Sequence, residues 1–200
     1  MNRTDPLLVT VLRHGAVAGR AHVFRGRLDE PLSAQGVQQM EQILARCPAT
    51  AFDTVATSPL KRCHEFAAVY AAQHCAPLQV LPPFGELSFG EWEGLTPDEA
   101  RARYPAEYQA FRATHGEHAP PNGEALAQFR KRVSQGWHEW LVQDAGTNRL
   151  LITHAGVMRS LLMELFGFTP AQAFQIALPE AACLRISWLH GNPPFLLSIN

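Results

Sequence analysis

Two arginines and two histidines stand at points in the chain where a phosphoryl group could be both held and attacked. Arg13 and His14 close the stretch "LLVTVLRHG", Arg62 lies in "TSPLKR", and His154 follows an apolar run in "LLITHAG". An arginine fork matches phosphate oxygens in geometry and charge, and a helix N-terminus offers backbone N–H groups to the same oxygens. A neutral imidazole can attack phosphorus and carry the group as phosphohistidine, while a second, protonated histidine adds a donor to the phosphoryl oxygens. Charge that builds on those oxygens in the transition state is stabilised by the arginines. The departing alcohol needs a proton, and "GELSFGEWEG" offers three carboxyl groups, Glu86, Glu91 and Glu93. Each motif alone is weak, so the reading depends on a fold that brings them together.

That fold is legible in the hydrophobic pattern. Apolar runs at residues 7–13, 53–58, 78–82, 149–154 and 183–189 read as buried strands, with 195–199 a weaker sixth. Between the first two, Ser33 is placed to cap a helix whose Val37, Met40, Ile43 and Leu44 share a face. Helices are expected over 60–74, after a capping box formed by Thr96, Pro97 and Glu99, over about 124–143, and from Gly156 through Leu165. Alternating strands and helices predict a three-layer α/β/α sandwich with a mostly parallel open sheet and helices on both faces. Ligands of such sheets bind beyond the carboxyl ends of the strands, which is where Arg13, His14 and His154 fall. Residues 1–200 read as a single domain, with a glycine- and proline-rich helical or loop insertion at about 83–123 covering the site.

Composition sets the limits. Net charge is −1 with 46% hydrophobic and 18% charged residues, which leaves no global attraction for nucleic acid or an anionic membrane. Any anion must be bound by clustered charge. The four cysteines form no CxxC pair, and the first residues, "MNRTDP", lack the apolar core of a signal peptide, so free thiols in the cytoplasm are expected and a metal site is not. Trp137 and Trp140 read as core residues of the long helix and His115 and His118 as part of a polar loop, while Ser58 could hydrogen-bond a catalytic histidine but, standing before a proline, reads as turn chemistry and is left out of the site.

Taken in order, "LRHG", "TSPLKR", "ELSFGEWEG" and "ITHAGVMR", with "FRGRLDEPLSAQGVQQ" after the first, resemble the histidine phosphatase superfamily in its phosphoglycerate-mutase-like branch, over about residues 9–160. The resemblance implies that His14 is the nucleophile, that Arg13, Arg62 and His154 form the phosphate pocket, and that Glu86 is the general acid and later the base that activates water. It implies no metal and no cofactor. Within the branch, "ELSFGEWEG" with the later "PPNGE" is similar to the α-ribazole phosphatase group, although Asn122 stands where "PPGGE" has a glycine.

Two further departures bear on specificity. Ala16-Val17 replaces the Glu-Thr or Glu-Ser that often follows RHG in the family, and Arg20 stands where a small amide is often found. Arg20, with Arg25 and Arg27, is therefore a candidate substrate contact. The expected function is hydrolysis of a small phosphomonoester through a phosphohistidine intermediate, α-ribazole 5'-phosphate being one candidate substrate. The rivals are mutase-type phosphoryl transfer, disfavoured because dedicated mutases of the branch look longer, and a non-catalytic phospho-ligand binding domain. The expected partner is the small phosphomonoester alone, without nucleic acid or membrane, in a chain for which a homodimer is compatible.

Overall fold

The protein is described by a computed structural model covering residues 6–47, 51–143, 146–189 and 192–200. Its strands are β1 (Leu7–Arg13), β2 (Thr54–Thr57), β3 (Leu78–Val80), β4 (Asn148–Thr153), β5 (Cys183–Trp188) and β6 (Phe195–Ile199). They form one sheet in the order β3-β2-β4-β1-β5-β6. The pairs β1–β4, β2–β4 and β2–β3 are parallel, whereas β5 runs antiparallel to both β1 and β6. Every expected strand is present, and only β5 opposes the common direction. The reason lies at its entry: the loop before β5 docks on the carboxyl end of β1, where Arg13 N–H donates to Ala182 O (2.8 Å) and Ala181 N–H to His14 O (3.1 Å). A chain entering at that end can only run back along β1.

Alternation along the strands divides the core in two. Val9, Val11 and Leu151 face one side, and Leu12, Leu150 and Ile152 the other, all nearly or fully buried. The helices α1 (Ala34–Ala45) and α2 (Lys61–Gln73) cover the second face through Met40, Leu44, Cys63 and Phe66. On the first face pack α5 (Leu126–Gln143) and α6 (Ala155–Phe166), with Trp137 and Trp140 fully inside as expected. The result is the anticipated α/β/α sandwich.

Local capping explains where the helices begin. Ser33 accepts from Gly36 N–H at the start of α1, and Thr96 forms the capping box with Glu99 that opens α3 (Pro97–Arg103). α4 (Pro105–Ala113) follows after Tyr104. A last short helix, α7 (Pro170–Gln175), escaped the sequence reading although Thr169, Pro170 and Gln172 carry the same cap, side chain to backbone and back. Between β3 and α5, residues 83–123 hold α3, α4 and two short 3-10 turns, with no strand. Their Trp92 and Phe111 pack with Phe24 and Phe89 into a separate aromatic cluster.

Candidate active site

The ordering β2-β4-β1 makes the three motif-bearing strand ends immediate neighbours. Arg13 is paired in register with Thr153, His14 N–H donates to Thr153 O (2.9 Å), and Ser58 N–H donates to Ile152 O (3.0 Å). Beyond these ends lies a cavity of about 410 Å³ whose lining includes Arg13, His14, Arg62 and Glu86. Four residues from three distant motifs therefore share one concave surface.

His14 is 6% exposed, and its Nδ1 lies 2.8 Å from Gly15 O. Burial, reinforced by the Arg62 and Arg13 guanidiniums, pushes its pKa down to about 3. The ring is thus neutral near pH 7. A neutral ring that donates from Nδ1 to a carbonyl leaves the lone pair on Nε2, the atom a nucleophile needs. Gly15 permits the tight approach behind it, since a Cβ there would overlap the backbone of Gly36.

His154 is fully buried, with its ring 5.3 Å from that of His14, edge to face. It does not itself line the cavity. Burial first, then the Arg62 guanidinium, the adjoining His14 ring and the Arg13 guanidinium, hold its pKa well below the usual histidine range. Its Nε2 is 2.7 Å from Ser58 Oγ, and the Cys63 sulfur lies 3.7 Å from Nε2 and 3.8 Å from Nδ1. Ser58 Oγ also accepts from Leu60 N–H (3.2 Å), the turn chemistry expected of it, so the serine serves the turn and is at the same time the direct partner of this histidine.

Both arginines are anchored with part of their hydrogen-bonding capacity unspent. Arg62 is fully buried and donates to Leu28 O (2.6 Å) and Gly26 O (2.7 Å), drawing the loop after the first motif onto α2. Arg13 donates to Leu178 O (2.6 Å). The Nε of each is buried with no hydrogen-bond partner among the described residues, an unusual state for a guanidinium away from a ligand site. Burial lowers both pKa values, yet a guanidinium remains charged in any aqueous range.

Of the three glutamates in "GELSFGEWEG", only Glu86 lines the cavity. Its Oε1 accepts from Leu87 N–H (2.9 Å) and its Oε2 from Gly156 N–H (3.2 Å) in the first turn of α6. Gly156 leaves room for this approach, because a Cβ there would overlap Glu86 Oε1 and push the carboxyl group aside. Glu91 is taken up by Tyr104 Oη and Asn122 Nδ2, each at 2.7 Å. Asn122 has φ +56°, which explains how asparagine substitutes for glycine at this point. Glu93 accepts from the Arg27 and Phe89 N–H groups (3.0 Å each), joining two loops.

The loop carrying Glu86 is held by a residue that no motif in the sequence singles out. Arg132, on α5, donates to Pro83 O (2.7 Å), Gly85 O (2.8 Å) and Glu86 O (2.9 Å), and forks onto Glu124 through Nε (2.7 Å) and Nη2 (2.9 Å). Burial alone would push the Glu124 carboxyl up, but its bonds with Arg132 outweigh this and hold it below the ordinary value.

Arg20 falls elsewhere. It forks onto Glu99 (2.9 and 3.0 Å) on the exposed side of α3 and is not a cavity residue, because that carboxylate captures it. Arg25, ion-paired with Glu30, does line the cavity, and Arg27 pairs with Glu124 at 3.5 Å. His115 lies in a turn after α4 with φ +52°, away from the strand ends.

A neutral nucleophilic nitrogen, two cations with spare donors and a carboxyl group on one cavity are the parts of a phosphoryl-transfer site. The comparisons with known proteins agree. The model of the histidine phosphatase superfamily, branch 1, matches residues 9–200, and the chain belongs to that family, as one of its enzymes. It is 28% identical over 165 residues to an adenosylcobalamin/alpha-ribazole phosphatase of Escherichia coli, covering 82% of this chain and 80% of that one. It is also 29% identical over 178 residues to a phosphoglycerate mutase of Schizosaccharomyces pombe, covering 84% and 83%. Among solved structures, the alpha-ribazole phosphatase of Shigella flexneri superposes with a TM-score of 0.86 at 22% identity, over 97% of this chain and 96% of that one, which supports the fold.

Proposed function

We propose that this enzyme hydrolyses a small phosphomonoester through a phosphohistidine intermediate. The observation that carries the reading is His14: neutral, with Nδ1 committed to Gly15 O, it offers Nε2 on a cavity shared with Arg13, Arg62 and Glu86. In the first step Nε2 attacks phosphorus, the P–O bond to the alcohol breaks, and Glu86 gives its proton to the departing oxygen. In the second, Glu86 takes a proton from water as that water attacks the phosphohistidine. Inorganic phosphate leaves, and His14 is again neutral. The guanidiniums of Arg13 and Arg62 carry the charge on the transferring oxygens, with His154 packed edge to face against the His14 ring.

The finer assignment, α-ribazole 5'-phosphate as substrate, rests on the E. coli relative and on the "PPNGE" segment. Mutase chemistry is the second reading, and one finding favours keeping it: the alignment with the S. pombe mutase covers 83% of that protein, so length separates the two classes less than the sequence suggested. The cytoplasm is the proposed location. Among the described residues no helix is long and apolar enough to cross a membrane.

The test is to incubate the wild type and His14→Ala with α-ribazole 5'-phosphate, 3-phosphoglycerate and p-nitrophenyl phosphate in EDTA. Phosphate release by the wild type only, with a phosphorylated histidine trapped by acid-free quenching, is the expected result. Isomerised phosphoglycerate without phosphate release would make the enzyme a mutase, and silence on every ester would leave a binding domain.

A further inference from the structure

The cavity joins its cations to an apolar lining that includes Phe24, Phe111, Phe174 and Met163, brought from four separate parts of the chain. This wall is stiff on one side. Phe24 and Phe111 stack into the cluster with Phe89 and Trp92, at ring separations of 5.0 to 6.3 Å. On the other side Phe174 is left 39% exposed at the end of α7, with the Arg159 guanidinium 5.2 Å over its ring. Gly116 closes the gap between the two: a Cβ there would stand 3.4 Å from both Phe111 and Phe174. Residues of the inserted segment and of α7 thus meet across the mouth as two aromatic jaws.

Phe111 is buried and Phe24 partly so, whereas Phe174 stays exposed beside the cavity, and an apolar ring left in water next to a ligand cavity marks recognition. The hydroxyl-rich chain of a sugar or glycerol ester would lose water against the phenyl faces without regaining hydrogen bonds from them. A flat ring would instead stack on the phenyl faces and on the guanidinium plane of Arg159. We infer that the cavity contains an aromatic subsite for the leaving alcohol, formed by Phe24, Phe111, Phe174 and Arg159, and that the preferred substrates are phosphomonoesters whose alcohol bears an aromatic ring. The inference rests on the phosphomonoesterase reading for which end of the ligand is the phosphoryl group. It assigns the other end.

Stable phosphonates separate this subsite from turnover. The enzyme is titrated calorimetrically with 3-phenylpropyl phosphonate and with 3,4-dihydroxybutyl phosphonate, whose charged heads are alike. The phenyl compound is expected to bind roughly 10- to 100-fold more tightly, the span expected for burying one phenyl group. Phe174→Ala, at an exposed position where folding is tolerant, is expected to cut that ratio about tenfold, and Phe174→Trp to restore it. Equal affinities in the wild type, or a ratio unmoved by Phe174→Ala in a folded variant, would overturn the subsite. Tight binding of the phenyl phosphonate by an enzyme that releases no phosphate from the matching phosphate ester would sustain the subsite and overturn the hydrolase reading alone.

Discussion

Replacing Arg132 with alanine is expected to damage catalysis at a distance by releasing the loop that carries Glu86. The side chain is 22% exposed and makes five hydrogen bonds, two to the Glu124 carboxylate and three to the carbonyls of residues 83, 85 and 86. Its loss leaves Glu124, 12% exposed, with Arg27 at 3.5 Å and the Ser88 N–H at 3.4 Å, and takes three donors from the loop. Breaking a buried charge pair costs about 3–5 kcal/mol, and the residual exposure and Arg27 place this case near the lower figure, about 3 kcal/mol. For a chain of this size each kcal/mol moves Tm by about 2–4 °C, so a fall of roughly 6–12 °C is expected by calorimetry. The kinetic consequence is more specific. General acid catalysis contributes about 10²–10⁴, and it matters only for alcohols that leave poorly. Arg132→Ala is therefore expected to lower kcat/KM, which reports the step that expels the alcohol, by roughly 10- to 100-fold on alkyl phosphates while changing that of p-nitrophenyl phosphate by less than about threefold. Arg132→Lys, which keeps the charge but not the fork, is expected to fall between. Equal losses on both ester classes, in a variant whose Tm has dropped as expected, would refute the positioning argument.

Three further outcomes follow from the same geometry. His14 and His154 are held neutral by burial, with pKa values below the unfolded 6.5, so their contribution is complete above pH 6.5 and is lost as pH falls towards 3. Urea unfolding is expected to show stability declining below pH 6.5 by up to about 1.4 kcal/mol per pH unit for each histidine, and the slope is expected to lessen in His14→Ala; a flat profile from pH 7 to 5 would contradict this. Gly156→Ala places a methyl group against Glu86 Oε1 and displaces the carboxyl group whose Oε2 accepts from the α6 N–H, so kcat/KM on alkyl phosphates is expected to drop at least about tenfold while that on aryl phosphates holds, a split that steady-state kinetics decides. Ser58→Ala takes the 2.7 Å partner from the buried His154 Nε2, and a loss of about 1–3 kcal/mol in denaturant unfolding is expected, with a shift in the His154 ring nitrogen resonances that a purely structural loss would not give.

Much of this was legible in the sequence because it is local. The strand runs end in the residues that the strands deliver: Arg13 closes β1 and His154 directly follows β4, since a residue's place at a strand end is set by a few neighbours on each side. The caps at Ser33 and Thr96 are equally local, contained within four residues. Among the three glutamates, however, spacing could not choose. Glu86 is distinguished by Gly156, 70 positions away, while Tyr104 and Asn122 occupy Glu91. Arg20 shows the same limit from the other side: an unpaired cation on paper, it is captured by Glu99 only when residue 20 is folded against α3.

The sequence by itself determined the alternation of strands and helices, the motif residues at the strand ends and the charge that excludes a broad anionic partner. Only the tertiary structure decided that β2, β4 and β1 are adjacent, that β5 turns back, that Ser58 rather than solvent meets His154, and that Arg132 holds the Glu86 loop. The aromatic jaws belong to the same group, because Phe24, Phe111 and Phe174 share no period and no segment. Hydrophobic periodicity and capping act over a single turn or a single strand, and so are written in consecutive residues. Contacts between side chains far apart in the chain come into being only when the sheet closes its order, and nothing in the spacing of the residues encodes them before that.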